Sequence, residues 1–454
     1  MEYMALVLFA CVCLVLLLGF PVALSLAGTS LLFAGLGILM GGFDASYLHA
    51  LPSRLYGILT NTTLIAVPLF VFMGVLLEKS KIAEELLHSM AQLLNGRLPA
   101  GMALSVIFVG MLLAASTGIV GATVVTMGLL SLPSLLKRGY TPELSTGLIC
   151  ATGTLGQIIP PSIALVLLGD VLSSAYQQAQ LDMGIFSPDS VSVGDLFVGA
   201  IIPGFILVAL YTAYVIFTTW RQKMPITQDE TAEPISWRQV FSALLPPLVL
   251  IVIVLGAIIS GYATPTEAAG VGAMGALVLA LLKRTLSRSQ LFEVLTDTSK
   301  ITSMVFLILI GASVFSLVFR GFGGEELIEH FFASLPGGHV GAMLVVMLVV
   351  FLLGFILDFI EITFVVVPIV APVLLMMGID PVWLGIMLAV NLQTSFLTPP
   401  FGFALFYLRG VAAKTIHTAQ IYRGVVPFII IQLLLLLMLS IWPEIATYLP
   451  DVIY

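Results

Sequence analysis

Thr152-Gly-Thr-Leu-Gly-Gln-Ile-Ile-Pro-Pro161 and Asn391-Leu-Gln-Thr-Ser-Phe-Leu-Thr-Pro-Pro400 are two versions of one pattern, a small polar run ending in a double proline within apolar sequence. The double prolines stand 239 residues apart, and Pro133, Gly139 and Pro142 recur at the same distance as Pro372, Gly378 and Pro381. Proline fixes φ and removes a backbone donor, while glycine opens conformations closed to other residues. A shared Pro/Gly pattern therefore implies a shared backbone. A duplicated unit with interrupted helices in a very apolar chain is the pattern of a secondary transporter.

Around these runs the composition is that of a membrane chain: 60% of the 454 residues are hydrophobic and only 9% are charged, against about 25% charged in soluble proteins. The chain reads as an all-α polytopic membrane protein. Cys11, Cys13 and Cys150 lie in apolar runs with neither disulfide nor metal spacing. The first apolar run, Met4 to Gly19, has no basic segment before it and no small-residue cleavage site, so it reads as a retained helix.

About 20 apolar residues span a bilayer. Ordinary spans are expected near 4–20, 22–40, 62–78, 196–220, 244–260, 266–282, 301–319 and 424–443. Two longer elements, 141–172 and 381–408, break at the double prolines. The stretches 99–136 and 340–377 are interrupted at Ala115-Ser-Thr-Gly118 and Asp358-Phe-Ile-Glu361 without a polar loop. They read as re-entrant hairpins; two full crossings joined by a tight turn is the alternative.

With the N-terminus outside and ten crossings, 15 of the 17 Lys and Arg residues fall inside, a strong positive-inside bias. Both termini and the acidic loop Ser173–Asp195 then face out. Five crossings separate the two hairpins, so the repeat is inverted. Gly19-Phe-Pro21 with Gly28 echoes Ala263-Thr-Pro265 with Gly272, extending the unit upstream. The expected organisation is scaffold helices and an arm (1–98), a first transport half (99–220), a cytoplasmic linker (221–243), second scaffold helices and an arm (244–339), and a second transport half (340–454). The arms are Ser80–Pro99 and Gly321–Gly338. The basic stretch Lys283–Lys300 is a third candidate for an interfacial helix.

Hairpin tips and proline breaks are the four irregular points. Backbone leaving a helix inside lipid needs other partners, and such breaks are tolerated where they bind ions or line a cavity. Unwound carbonyls with hydroxyl oxygens form a hard-ligand shell for an alkali cation, and helix N-termini favour a carboxylate. Candidates in the first half are Ser116, Thr117, Thr152, Thr154 and Gln157; in the second they are Asp358, Gln393, Thr394, Ser395 and Thr398. Asp358 and Glu361 stand deep in an apolar stretch, where acids are costly and functional by default. Asp358 could complete a cation shell or cap a half-helix, and Glu361 could be a proton or substrate site. The bland reading is that all these polar groups merely cap broken helices or bond to nearby carbonyls. Glu267 reads as a first-turn partner of a helix dipole.

The chain has no G-x-x-x-x-G-K-[ST] and no basic nucleic-acid patch, so neither ATP nor nucleic acid is expected as a partner. Its five histidines form no metal-ligand pair. No cofactor is expected beyond a coupling ion, and an intramembrane enzyme would have only the acid pair 358/361 to work with.

Gly153-Thr-Leu-Gly-Gln-Ile-Ile-Pro-Pro-Ser162, Ala263-Thr-Pro-Thr-Glu-Ala-Ala269 and Asn391-Leu-Gln-Thr-Ser-Phe-Leu-Thr-Pro-Pro-Phe-Gly402 resemble the large, DctM-like membrane subunit of tripartite ATP-independent periplasmic (TRAP) transporters. The resemblance covers nearly the whole chain. It implies an elevator-type, sodium-coupled importer in a bacterial inner membrane. Its partners would be a small four-helix membrane subunit and a periplasmic binding protein delivering an organic acid. With no four extra N-terminal helices, the small subunit is expected as a separate chain. Carried over by position, Ser116, Thr117, Gly118, Gly153, Thr154 and Gln157 would form one sodium site. Asp358 with Gln393, Thr394, Ser395 and Thr398 would form the other. Ser162 joins Glu361 as a candidate substrate or proton site, and Pro160, Pro161, Pro399 and Pro400 set the breaks. The second tip, Leu357-Asp-Phe-Ile-Glu-Ile362, departs from many members and resembles a subgroup linked to keto- or hydroxy-acids rather than sialic acid. A self-sufficient sodium/carboxylate symporter is the alternative.

Overall fold

A computed structural model describes residues 3–80, 82–94, 100–118, 120–222 and 237–453, and every regular element among them is helical. Seven helices are long and apolar enough to cross a membrane, or up to nine if each of two bent pairs counts as one span.

In the first half, α1 (Met4–Leu17) and α2 (Val22–Leu39) lead to α3 (Leu51–Thr60) and α4 (Ala66–Lys79). The amphipathic α5 (Ile82–Leu94) follows, burying Ile82 and Leu86 and exposing Glu84, Glu85 and His88. Then come the hairpin α6 (Gly101–Thr117) and α7 (Val120–Lys137), the interrupted pair α8 (Pro142–Thr154) and α9 (Ile163–Asp182), and the long α10 (Val193–Arg221). The second half runs α11 (Trp237–Ile259), α12 (Pro265–Leu282), α13 (Arg288–Gly321), the arm α14 (Gly324–Ala333) and the hairpin limb α15 (Gly338–Leu353). Its other limb is α16 (Phe359–Val365) with α17 (Val367–Met376), followed by α18 (Pro381–Leu397), α19 (Phe403–Val411), α20 (Thr418–Ile441) and α21 (Glu444–Ile453). The linker 224–236 lies outside the described residues.

Positions 239 residues apart share local structure. Gly139 and Gly378 turn with φ of 86° and 85°. Thr141 and Asp380 then cap α8 and α18, accepting from Leu144 N and Trp383 N, each followed by proline at the first helical position, where its missing donor costs nothing. Both Pro–Pro bonds are cis. The scaffold crosses between halves: α2 lies along α13, and α12 lies along α4. α8 lies along α20, so close that a Cβ on Gly147 would overlap the Gly424 carbonyl oxygen.

Four sequence expectations change. Residues 288–300 are no separate interfacial helix: Ser287 and Gln290 form a capping box that starts α13, which continues unbroken to Gly321. The span expected at 62–78 runs over Thr63–Lys79, but an unexpected helical segment, Ala45–Thr60, precedes it at a bend of 52°. α21 was not anticipated. Finally, Thr394, Ser395 and Leu397 are helical; the second break occupies 398–402. Thr398 precedes Pro399, which disfavours helical backbone there, and it is extended at φ −88°, ψ 122°. The first break likewise falls after the short 3₁₀ turn Leu155–Gln157. Glu267 forms a capping box with Thr264 at the start of α12.

Candidate functional site

Each hairpin tip meets an interrupted element of its own half. α6 ends at Gly118 in left-handed conformation (φ 61°), and a Cβ on Gly156 would sit 3.6 Å from its Cα. At the second tip, a Cβ on Gly354 would overlap Ser395 Oγ on α18. Glycine is thus required at Gly118 by the backbone and at Gly354 by close approach.

Asp358 begins α16 as its N-cap. Its Oδ1 accepts from Phe359 N at 2.7 Å, and Asp358 N donates to Glu361 Oε2 at 2.8 Å. The two acids therefore form a reciprocal capping box, and Glu361 is 6% exposed. Capping does not consume Asp358, because a carboxylate has about four lone-pair sites.

Most candidate hydroxyls bond to their own helix. Ser116 donates to Leu113 O at 2.9 Å, Thr152 to Leu148 O at 2.9 Å and Thr154 to Ala151 O at 2.9 Å. Thr394, Ser395 and Thr398 donate to the carbonyls of Val390, Leu392 and Thr394. Ser162 caps α9 and donates to Gly156 O at 2.7 Å. The side chain of Thr117 lies outside the described residues. Gly153 packs against Val124 with no room for a side chain.

The exceptions are the amides. Gln157 is 2% exposed, and neither its Oε1 nor its Nε2 has a partner among the described residues. Gln393 Nε2 reaches Thr154 Oγ1 at 3.4 Å, leaving its own Oε1 unpaired. Thr363 Oγ1, two residues past Glu361, is also buried and unpaired; its place in an apolar helix gave no sequence signal. Each such group costs about 1–3 kcal/mol if left unsatisfied, a cost that a bound ion or polar ligand offsets.

A cavity of about 150 Å³ gathers these features: Gly118 and Gln157 from the first half, Asp358 and Phe396 from the second. Tyr407 of α19 and Ile163 of α9 complete its wall on the hairpin side, and Ile301 and Met304 of α13 face it from the scaffold. Sequence reading missed Tyr407 and Phe396, because nothing in their local pattern says which way they face. Of the residues expected from sequence, Gly118, Gln157 and Asp358 line this wall, whereas Ser116, Gly153, Thr154, Ser162, Glu361, Gln393, Thr394, Ser395 and Thr398 do not, and neither does Thr363. Among the described residues no three His, Cys, Asp or Glu side chains form a metal cluster.

The sequence model of the family described as "Tripartite ATP-independent periplasmic transporter, DctM component" matches residues 9–445. The chain belongs to this family. It is therefore the large permease component of a TRAP transporter, a multi-pass membrane protein. It is 29% identical, over 98% of its length and 97% of the other's, to the C4-dicarboxylate TRAP transporter large permease protein DctM of Vibrio cholerae. The sialic acid TRAP transporter large permease protein SiaM of Vibrio cholerae is 28% identical over 93% of this chain and 94% of its own. Among solved structures, the YdaH transporter of Alcanivorax borkumensis superposes with a TM-score of 0.64 at 14% identity, over 96% of this chain and 98% of its own. That likeness concerns the fold alone.

Proposed function

We propose that this TRAP permease component imports small organic acids by sodium symport, receiving them from a periplasmic binding protein and working beside a small membrane subunit. The observation that carries the reading is the cavity between the two hairpin tips, into which the unpartnered, buried Gln157 faces with Asp358. Oxygen ligands are the chemistry of hard cations. The Asp358 carboxylate, the amide oxygens of Gln157 and Gln393 and the Thr363 hydroxyl are oxygens with capacity to spare. The sodium ligands are drawn from these and from carbonyls at 116–118, 153–157 and 398–402. The unpaired Nε2 of Gln157 and the N-terminus of α9 suit a substrate carboxylate.

In this reading the two hairpins are re-entrant and the repeat is inverted. Residues 99–220 and 340–454 move as a transport body against scaffold residues 1–98 and 244–339, carrying the tip cavity across an inner membrane. Both termini are periplasmic, and the linker 221–243 is cytoplasmic. The relatives named for C4-dicarboxylates and sialic acid support a carboxylate, and the second tip favours a keto-, hydroxy- or dicarboxylic acid.

Reconstitution tests it. Proteoliposomes holding the complex should accumulate at least one labelled acid from a panel of succinate, malate, pyruvate and 2-oxoglutarate. Accumulation should need an inward sodium gradient and the binding protein. Uptake indifferent to sodium would end the symport reading. Full uptake without the binding protein would favour a self-sufficient symporter.

A further inference from the structure

A second, larger cavity of about 400 Å³ lies beyond the tip cavity along the same helices. α13 gives Ile301, Met304 and Val305 to the tip cavity, and Leu309, Ser313, Ser316 and Arg320 to the larger one. α9 gives Ile163 and Leu167 to the first, then Asp170, Ser174 and Gln178 to the second. The α16–α17 limb passes from Asp358 and Phe359 to Phe364, Pro368 and Pro372. The α3–α4 segment passes from Val71 back to Leu64, Asn61 and Arg54. On α9 and α13 steps of three and four keep each series on one helix face, while the other two segments are bent by 56° and 52°. At 1.5 Å per residue, Ile301 to Arg320 covers roughly 28 Å. The two cavities therefore follow one another along the same helices, and the orientation set by the basic residues puts the larger one outside.

Its wall carries charge. Arg320 is paired with Glu325 at 2.5 Å. Asp170 is held by Asn61, whose Nδ2 donates to both carboxylate oxygens at 3.0 and 3.1 Å. Arg54, half-buried, has no hydrogen bond or ion pair among the described residues, though it lies within electrostatic reach of Arg320 and Glu325. A guanidinium withdrawn from water without a partner is costly, and its planar fork matches a carboxylate. The volume falls in the range of about 300–1,000 Å³ usual for small-molecule sites.

We infer that the outer cavity is a capture site for a small hydroxy- or keto-carboxylate. Arg54 takes the carboxylate, Ser313 and Ser316 meet the neighbouring oxygen, and the ligand then passes along α9 and α13 to the tip cavity. The inference rests on the proposed organic-acid transport for its ligand class. It adds a site that needs no sodium, because the unpartnered amides and the tip carboxylate are all at the other end.

The test is protection of Ser174→Cys, a wall residue with no part in holding the ligand, with Cys11, Cys13 and Cys150 replaced by Ala, from an impermeant maleimide in right-side-out vesicles without sodium. A ligand at about four times its Kd slows the reaction roughly fivefold by mass action. Succinate, malate or 2-oxoglutarate should give such protection, and succinamide should not. Arg54→Gln should abolish it and Arg54→Lys should keep part of it, while labelling at Ser190→Cys reports an intact outer face in each. No protection by any acid overturns the inference, and so does equal protection after Arg54→Gln. Equal protection by inorganic phosphate replaces it with a general anion or lipid-headgroup site. Sodium-driven uptake without protection removes the capture site and leaves the transport reading standing. Protection without uptake supports the capture site and removes the transport reading alone.

Discussion

The two transport halves share a backbone but not a chemistry. α7 (Val120–Lys137) and the α16–α17 limb (Phe359–Met376) match end to end at the 239-residue offset. At that offset Asp358 corresponds to Ile119, and Gln157 to Phe396. The first half therefore brings a neutral tip and a buried amide to the cavity, and the second brings an acidic tip and a phenylalanine. The limbs differ in shape too: α16 and α17 are bent by 56°, while α7 is one helix. The second limb has Pro368 where the first has Leu129, and proline removes the donor that would continue the helix. Symmetry of fold thus supplies two frames, and asymmetry of side chains makes one cavity with one strong charge.

The largest effect should fall where the halves touch. A Cβ on Gly147 of α8 would run into the Gly424 backbone, whereas one on Gly385 of α18 would lie 2.8 Å from the side-chain tips of Leu172 and Leu196. Backbone cannot yield as a leucine tip can. Gly147→Ala should destabilise by the upper end of the overpacking range of about 1–3 kcal/mol or beyond, and Gly385→Ala by its lower end. Thermal unfolding of the purified variants in detergent measures both. Equal losses would mean that the two halves are packed alike.

Next comes Asp358→Asn. Asparagine caps a helix about as well as aspartate, so the substitution separates charge from capping. Interactions with a charged group contribute about 1.5–3 kcal/mol, and 1.4 kcal/mol is about tenfold. Sodium-driven uptake should fall about tenfold or more while expression and melting temperature hold. Ser116→Ala, at the neutral tip, should change uptake only slightly. Uptake unchanged in Asp358→Asn would reduce the acid to a cap and make the two tips equivalent.

The breaks are the third comparison. Replacing Pro399 and Pro400 by Ala should let helix extend through 398–402 and weaken the dependence of uptake on sodium severalfold. The same change at Pro160 and Pro161 should act in the same direction. It should also reduce substrate affinity, because Gln157 lies on that side of the cavity. Titrating sodium and substrate separately in proteoliposomes distinguishes the two. Identical profiles would erase the division of labour between the halves.

The breaks, the capped restarts and the arms were legible because proline, glycine and capping residues act locally, through backbone geometry. Exact unwinding was less so: the polar run 394–397 stays helical, since proline perturbs mainly the residue before it and the turn it clashes with. What sequence could not give is facing. Thr363, Tyr407 and Phe396 acquire meaning only from what tertiary packing sets opposite them. Asp170 was overlooked in an apolar helix, although Asn61 holds it in the wall of the outer cavity. Arg54 and Arg320 served only as markers of orientation until the cavity between them was seen.

The smallest expected effect lies on the axis of the proposed inverted repeat. Thr154 and Gln393 are equivalent positions, 239 residues apart, and they touch each other at 3.4 Å. If the repeat is inverted as proposed, residues related by its two-fold operation can touch only near the axis, and this contact would lie there. It is a long, neutral bond, and about 0.5 kcal/mol is the expected coupling, at the low end for hydrogen bonds. A double-mutant cycle of Thr154→Val and Gln393→Leu measures it by thermal unfolding. Both residues belong to the body proposed to move as one, so the contact should persist in every state. A Thr154→Cys, Gln393→Cys pair should therefore cross-link equally with and without sodium. The Asn61–Asp170 contact joins scaffold to moving body, so an Asn61→Cys, Asp170→Cys pair should cross-link in one condition far more than in the other. If instead the axial pair responds to sodium and the Asn61/Asp170 pair does not, the halves slide on each other and the elevator division is wrong.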